Sequence, residues 1–143
     1  MYKRIVVPLD NSVTDETILI HIRQLAGLTR AQIILVHVSD GFVAQLQDQL
    51  NLADSEEIKD DQAYLNKVSA GLQKDGFNVK AVLVHGKEPV NGILSVAQEE
   101  ACDLIAMATH GHKFLEDMIL GSVADTLRHR TNIPILMIRS SIK

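Results

Sequence analysis

Two stretches of the chain hold the residue types that could do chemistry. The later one opens with Thr109-His110-Gly111-His112-Lys113 and closes with Leu120-Gly121-Ser122. Gly111 permits a backbone turn that a Cβ would hinder. Gly121-Ser122 stands at a predicted helix start. There, free N–H groups, the positive end of the helix dipole and a serine hydroxyl together suit a phosphate. The same residues also read as a turn glycine and a helix N-cap. Lys113 either reaches phosphate oxygens or is a solvated surface lysine. The earlier stretch is Leu9-Asp10-Asn11-Ser12. Asp10 suits a hydrogen bond to a phosphorylated ligand, or a Mg²⁺ ion held through water. It equally suits an Asx turn leading into a helix.

Several chemistries are set aside. Thr109-His110-Gly111-His112 fits a nucleotidyltransferase pattern, but that pattern belongs after a first strand and its C-terminal partner motif is missing. Adenylyl transfer is therefore a remote alternative. No Walker A lysine loop and no Gly-x-Gly-x-x-Gly follows the first strand, which disfavours P-loop hydrolysis and dinucleotide redox chemistry. His37, His85, His110 and His112 raise the question of a metal. His110 and His112 lie two apart in a loop, with no carboxylate or Cys at a familiar spacing, so no dedicated metal site is assigned. No residue is picked as catalytic.

Composition narrows the partners. The 143 residues are 46% hydrophobic and 22% charged, which is a globular balance. Only 3% are aromatic and there is no Trp, so a base-stacking surface for single strands is not expected. The net charge is −4, without a basic stripe, so nucleic acid is not expected as a partner. An acidic chain still binds an anion through backbone N–H groups. The single Cys102 builds neither a disulfide framework nor a Cys-rich zinc site, and its apolar surroundings read as a buried small hydrophobe. The apolar run near the N-terminus, Ile5 to Leu9, is too short for a signal-peptide core or a membrane span. The expectation is a cytoplasmic protein without membrane insertion.

These candidates must be positioned by the elements around them. Ile5 to Leu9 reads as strand one. Ser12 to Thr29 reads as a helix, with Ile18, Ile22, Leu25 and Ala26 at helical spacing and Ser12 followed by Asp15 as an N-cap signal. Ile33 to Val38 is strand two. Phe42, Leu46 and Leu50 suit a short helix within Gly41 to Ala53. Asp54 to Asp75 is a charged helix with Ile58, Leu65, Val68 and Leu72 on its apolar face, the charges reading as solvated. Val79 to Val84 is strand three. Glu88-Pro89 opens a third helix that buries Val90, Ile93, Leu94 and Ala97. Leu104 to Ala108 is strand four, Leu120 to Arg130 a fourth helix with Val123, Ala124 and Leu127 inward, and Ile133 to Arg139 strand five.

Strands that alternate with helices and are apolar throughout imply a parallel sheet covered on both faces. The expected fold is α/β: a single doubly wound five-stranded parallel sheet in the order 3-2-1-4-5, filling one domain over residues 1–143. In that order the sheet reverses direction between strands one and four. Ligands of open α/β sheets bind at the carboxyl ends of the strands beside that point. The Leu9–Ser12 and Thr109–Leu120 loops meet there. The second is long for a βα connection, which favours a functional role.

The whole chain resembles the universal stress protein family. Lys3 to Ser12 looks like its first strand and loop, and Leu35-Val36-His37-Val38 like its second strand. Gly86-Lys87-Glu88-Pro89 looks like the start of its third helix. Thr109-His110-Gly111, Leu120 to Ala124 and Ile133-Pro134-Ile135-Leu136 resemble its C-terminal signature. The nucleotide-binding branch carries a first glycine, two residues, a second glycine, nine residues, then Gly with Ser or Thr. Gly111, the nine-residue spacer and Gly121-Ser122 match, and Ala108 replaces the first glycine.

The resemblance implies an ATP-binding, homodimeric stress protein, regulatory rather than catalytic, with at most slow hydrolysis. It places nucleotide contacts at Pro8, Leu9, Asp10, Val38, Met107, Ala108, Gly111, His112, Gly121, Ser122 and Val123. It implies pairing of two copies through strand 133–139, an apolar edge of the kind that is normally covered. Bound ATP would order the Thr109–Leu120 loop and change a surface read by a protein partner that the sequence does not name. Ala108 favours the alternative of a dimeric interaction protein that binds no nucleotide. Asn11 stands where the family commonly has Gly, and it tolerates left-handed geometry.

Overall fold

Continuous apolar sequence builds the centre of the molecule. Ile5, Val6 and Val7 are wholly buried, as are Ile33, Ile34 and Leu35 of the neighbouring strand, because helices cover both faces of the sheet. The computed structural model describes residues 1–39, 53–85, 88–110 and 123–140. Within them the order is β1 (Arg4–Pro8), α1 (Asp15–Thr29), β2 (Gln32–Val38), α2 (Ala53–Lys74), β3 (Val79–Val84), α3 (Pro89–Glu99) and β4 (Leu104–His110). Then come α4 (123–130) and β5 (Ile135–Ser140).

The five strands lie in the order β3-β2-β1-β4-β5, and every pair is parallel. This is the expected doubly wound sheet. β1 sits at its centre, with Val6 opposite Ile34 on one side and Ile105 on the other. One apolar layer joins Ile5, Val7 and Leu9 to Ile18, Ile22, Leu65 and Leu72 of α1 and α2. The other joins Val6, Ile34 and Met107 to Val90, Ile93, Ala124 and Leu127 of α3 and α4. Cys102 is buried in the second layer, as expected of a small hydrophobe.

The start of α1 differs from expectation. Ser12 is not its N-cap: the helix begins at Asp15, with Thr14 at the cap and no side-chain cap bond from it. Ser12 is occupied locally instead, donating to Asp10 Oδ1 at 2.5 Å and accepting from Thr14 N at 3.3 Å. β4 runs to His110, two residues past its expected end, because it stays in register with β5 as far as Ser140. α3 starts as anticipated. Pro89 fills a first-turn position, and the Glu88 side chain accepts from Val90 N at 2.9 Å. The expected helix within 41–53 lies almost wholly outside the described residues. Among the described residues no helix is long and apolar enough to cross a membrane.

Candidate functional site

At the point where the sheet reverses, β1 and β4 diverge at their carboxyl ends and a cleft opens. β1 and the residues after it supply Pro8, Leu9 and Asp10, β2 supplies Val36, His37 and Val38, and β4 supplies Met107 and Ala108. Thr14 and Asp15 at the start of α1, Pro89 and Ile93 of α3, and Val123 of α4 close its sides. The lining is mostly apolar with a few polar groups, the usual make-up of a small-molecule site.

Of the residues singled out from sequence, Pro8, Leu9, Asp10, Val38, Met107, Ala108 and Val123 come together in this cleft. Gly111, His112, Gly121, Ser122 and Lys113 lie outside the described residues. The sequence reading missed Thr14, Asp15, Val36, His37, Pro89 and Ile93. His37 left a signal: it is the one polar residue in the apolar run Ile33 to Val38, and a buried polar group needs a partner.

The turn after β1 is tightly specified. Leu9 N donates to Val36 O at 2.8 Å, extending the ladder one residue past the strand. Asn11 takes φ 61°, the left-handed conformation that Asn tolerates best among residues with a Cβ. Asp15 then reaches back from α1. Its Oδ1 accepts Asp10 N at 3.1 Å and its Oδ2 accepts Asn11 N at 2.9 Å. Its carboxyl is pushed up to about 7. Burial is the main cause and the negative charge of Asp10 adds to it, while the Tyr64 hydroxyl and the Asp10 N–H pull the other way.

Four side-chain contacts tie this turn to its surroundings. Tyr64 of α2 donates its hydroxyl to Asp15 Oδ2 at 2.5 Å. Burial, together with this bond, drives the phenol strongly upward. Asn11 Nδ2 donates to Asp61 Oδ1 at 3.2 Å. His37 has Nδ1 at 2.8 Å from Leu9 O and Nε2 at 3.1 Å from Asp61 Oδ2. Among the described residues no three His, Cys, Asp or Glu side chains converge as a direct metal cage.

An all-parallel sheet covered by helices on both faces, with a lined cleft at its switch point, defines a doubly wound α/β domain. The universal stress protein family model matches residues 1–139. The universal stress protein MJ0577 of Methanocaldococcus jannaschii is 30% identical, over 97% of this chain and 96% of its own. The solved structure of MJ0577 superposes with a TM-score of 0.85 at 29% identity, covering 100% of this chain and 99% of the other. The universal stress protein of Archaeoglobus fulgidus, solved in complex with dAMP, shares the fold. Its TM-score is 0.70 at 24% identity, over 96% and 98% of the two chains. This chain belongs to the universal stress protein family.

Proposed function

We propose that the protein is an ATP-binding universal stress protein that acts in the cytoplasm as a homodimer and signals by binding rather than by catalysis. The observation that carries this reading is the convergence of residues from β1, β2 and β4 on one mostly apolar cleft at the switch point. The dAMP complex of the A. fulgidus protein, which has the same fold, supports a purine nucleotide as the class of ligand.

In this reading the adenine lies against Pro8, Leu9 and Val38, with Met107, Ala108 and Val123 around it. Ribose and phosphates face Gly111, His112, Gly121 and Ser122. Asp10 contacts the nucleotide and a Mg²⁺ ion through water. Asp10 lines the cleft, and a carboxylate there suits a Mg²⁺ ion held mainly by phosphate and water. When bound, the ion neutralises phosphate charge. Any hydrolysis is slow, because the motifs supply no arginine finger. ATP binds the ordered state of the Thr109–Leu120 loop more tightly than the open one, and so shifts a surface that a protein partner reads.

The test is calorimetric titration with Mg-ATP, AMP and GTP, with Gly121→Asp as the control. Micromolar ATP affinity that is lost in the control supports the reading. Ala108 lines the cleft and is 6% exposed, which favours the second reading, a dimeric interaction protein without nucleotide. A folded dimer that takes up no nucleotide would establish that reading instead.

A further inference from the structure

Asp61 and Tyr64 do something that nucleotide contact does not require of them. They lie on α2 and meet residues 50 and 49 positions earlier in the chain. Asp61 is buried and uses both of its oxygens. Oδ1 accepts from Asn11 Nδ2, and Oδ2 faces His37 Nε2 at 3.1 Å. At the other end of the same imidazole, Nδ1 meets the carbonyl of Leu9 at 2.8 Å. A carbonyl can only accept, so Nδ1 carries a proton there. Nε2 then faces a carboxylate oxygen, and that contact closes as a hydrogen bond only with a proton between the two. Tyr64 donates to the Asp15 oxygen that also receives Asn11 N, while the other Asp15 oxygen receives Asp10 N.

Each residue of the Leu9-Asp10-Asn11 turn is therefore held by a side chain that is itself held from α2. Leu9 O is held by His37, the Asp10 and Asn11 amides by Asp15, and the Asn11 side chain by Asp61. Asp10 and Leu9 line the cleft, so this hold sets where their groups stand. We infer that Asp61 and Tyr64 are positioning residues of the nucleotide cleft: α2 fixes the Leu9-Asp10-Asn11 backbone through His37, Asn11 and Asp15. The inference rests on the nucleotide reading for the identity of the ligand, while the hold on the turn is independent of it. It also makes α2 responsive to the cleft, because coupling between a site and its supports is reciprocal.

Three variants separate positioning from general stability. Asp61→Asn keeps the shape: its Oδ1 still accepts from Asn11, and its Nδ2 can donate to Nε2 of a neutral His37. Asp61→Ala removes both contacts, and Tyr64→Phe removes only the hydroxyl bond to Asp15. Two readouts are taken on the full chain. The first is amide hydrogen exchange at Asp10 and Asn11 without ligand, with Val6 and Val7 as core references. The second is the Kd for Mg-ATP.

Asp61→Ala and Tyr64→Phe are expected to speed exchange at Asp10 and Asn11 by about tenfold while the core amides stay protected. Tyr64→Phe, which loses one hydrogen bond, is expected to raise the Kd by about tenfold, and Asp61→Ala, which loses two contacts, by at least as much. Asp61→Asn restores both readouts. If Asp61→Ala fails to fold, Tyr64→Phe carries the test alone. Unchanged exchange at Asp10 and Asn11 in Tyr64→Phe overturns the inference. If the exchange pattern appears but the unaltered chain binds no Mg-ATP, α2's hold on the turn stands and the nucleotide reading falls.

Discussion

Gly92 of α3 leaves the space that Val38 fills. A Cβ at position 92 would stand 2.8 Å from Val38 Cγ2 and 3.1 Å from Cγ1, with Val84 Cγ1 at 3.4 Å behind. Val38 lines the cleft, so Gly92 shapes the site without touching a ligand. Replacing a glycine inside a helix by alanine ordinarily stabilises by about 1 kcal/mol. Overpacking a filled site costs about 1–3 kcal/mol, and valine is stiff at χ1. Gly92→Ala is therefore expected to lower stability by about 0–2 kcal/mol and to weaken ATP binding several-fold as Val38 shifts. Urea unfolding and titration of the same preparation check both effects. A variant stabilised by about 1 kcal/mol with unchanged affinity would show that Val38 yields freely.

How much of this was legible in the sequence depended on the range of the interaction. The parallel sheet was legible because two-sided burial writes itself as unbroken apolar runs such as Ile33 to Val36, and right-handed crossovers then leave few strand orders. The left-handed turn at Asn11 was legible because few residues tolerate it. The start of α1 was misplaced because Ser12 carries the same residue type whether it caps a helix or bonds Asp10, as it does here. The support from α2 was not legible at all. Asp61 and Tyr64 sit on a charged helix whose polar residues read as solvated, and their partners lie on α1, β2 and the turn after β1. Nothing local distinguishes a buried Asp61 from an exposed Asp60.

Asp15 gives stability an unusual dependence on pH. Its carboxyl titrates near 7 in the folded chain, above the ordinary value of 3.8. The folded state therefore holds a proton that the unfolded state has lost across that window. The contribution of this group is fully present below about pH 4, declines as pH rises, and is lost by about pH 7. The ionisable groups acting on it are Asp10 and Tyr64. Asp103 and Asp125 are held below the usual carboxylate range and act oppositely, losing their contribution as pH falls through their folded values. The comparison must therefore be between variants. Urea unfolding at pH 4.5, 6 and 7.5 should show the unaltered chain losing stability relative to Asp15→Asn as pH rises, by an amount on the order of a few kcal/mol. Parallel curves for the two proteins would show that Asp15 does not titrate in this window.

Asp103 fastens the opposite end of the same sheet. Its Oδ2 accepts Lys3 N at 2.8 Å and its Oδ1 accepts Arg4 N at 3.1 Å, while its own N–H donates to Arg4 O at 2.9 Å. These bonds begin the β1–β4 seam, far from the cleft. Asp103→Ala removes the two side-chain bonds and is expected to cost about 1–2 kcal/mol. Hydrogen exchange should quicken at Lys3 and Arg4, and ATP affinity should stay within about twofold, because distant sites act independently. A loss of affinity as large as that expected for Asp61→Ala would mean that the seam transmits to the cleft.

The proposed dimer makes its own demand on β5. Among the described residues this strand pairs with β4 alone, with Met107 opposite Met137, and it is the outermost strand of the sheet. Met137 is 50% exposed, a large apolar side chain on the outermost strand of the described sheet, a position that natural sheets normally cover or charge. If a second copy covers it about a twofold axis, each Met137 is buried at the contact, and a charge there meets either an apolar surface or its own symmetry mate. Burying an unpaired charge costs several kcal/mol, which is enough to dissociate a dimer of micromolar affinity. Met137→Asp is therefore expected to run as a monomer by light scattering at micromolar protein, with its circular dichroism and its ATP affinity unchanged, since Met137 does not line the cleft. An unaltered chain that is already monomeric under these conditions would remove the homodimer from the proposed function. A variant that stays dimeric would move the interface away from β5.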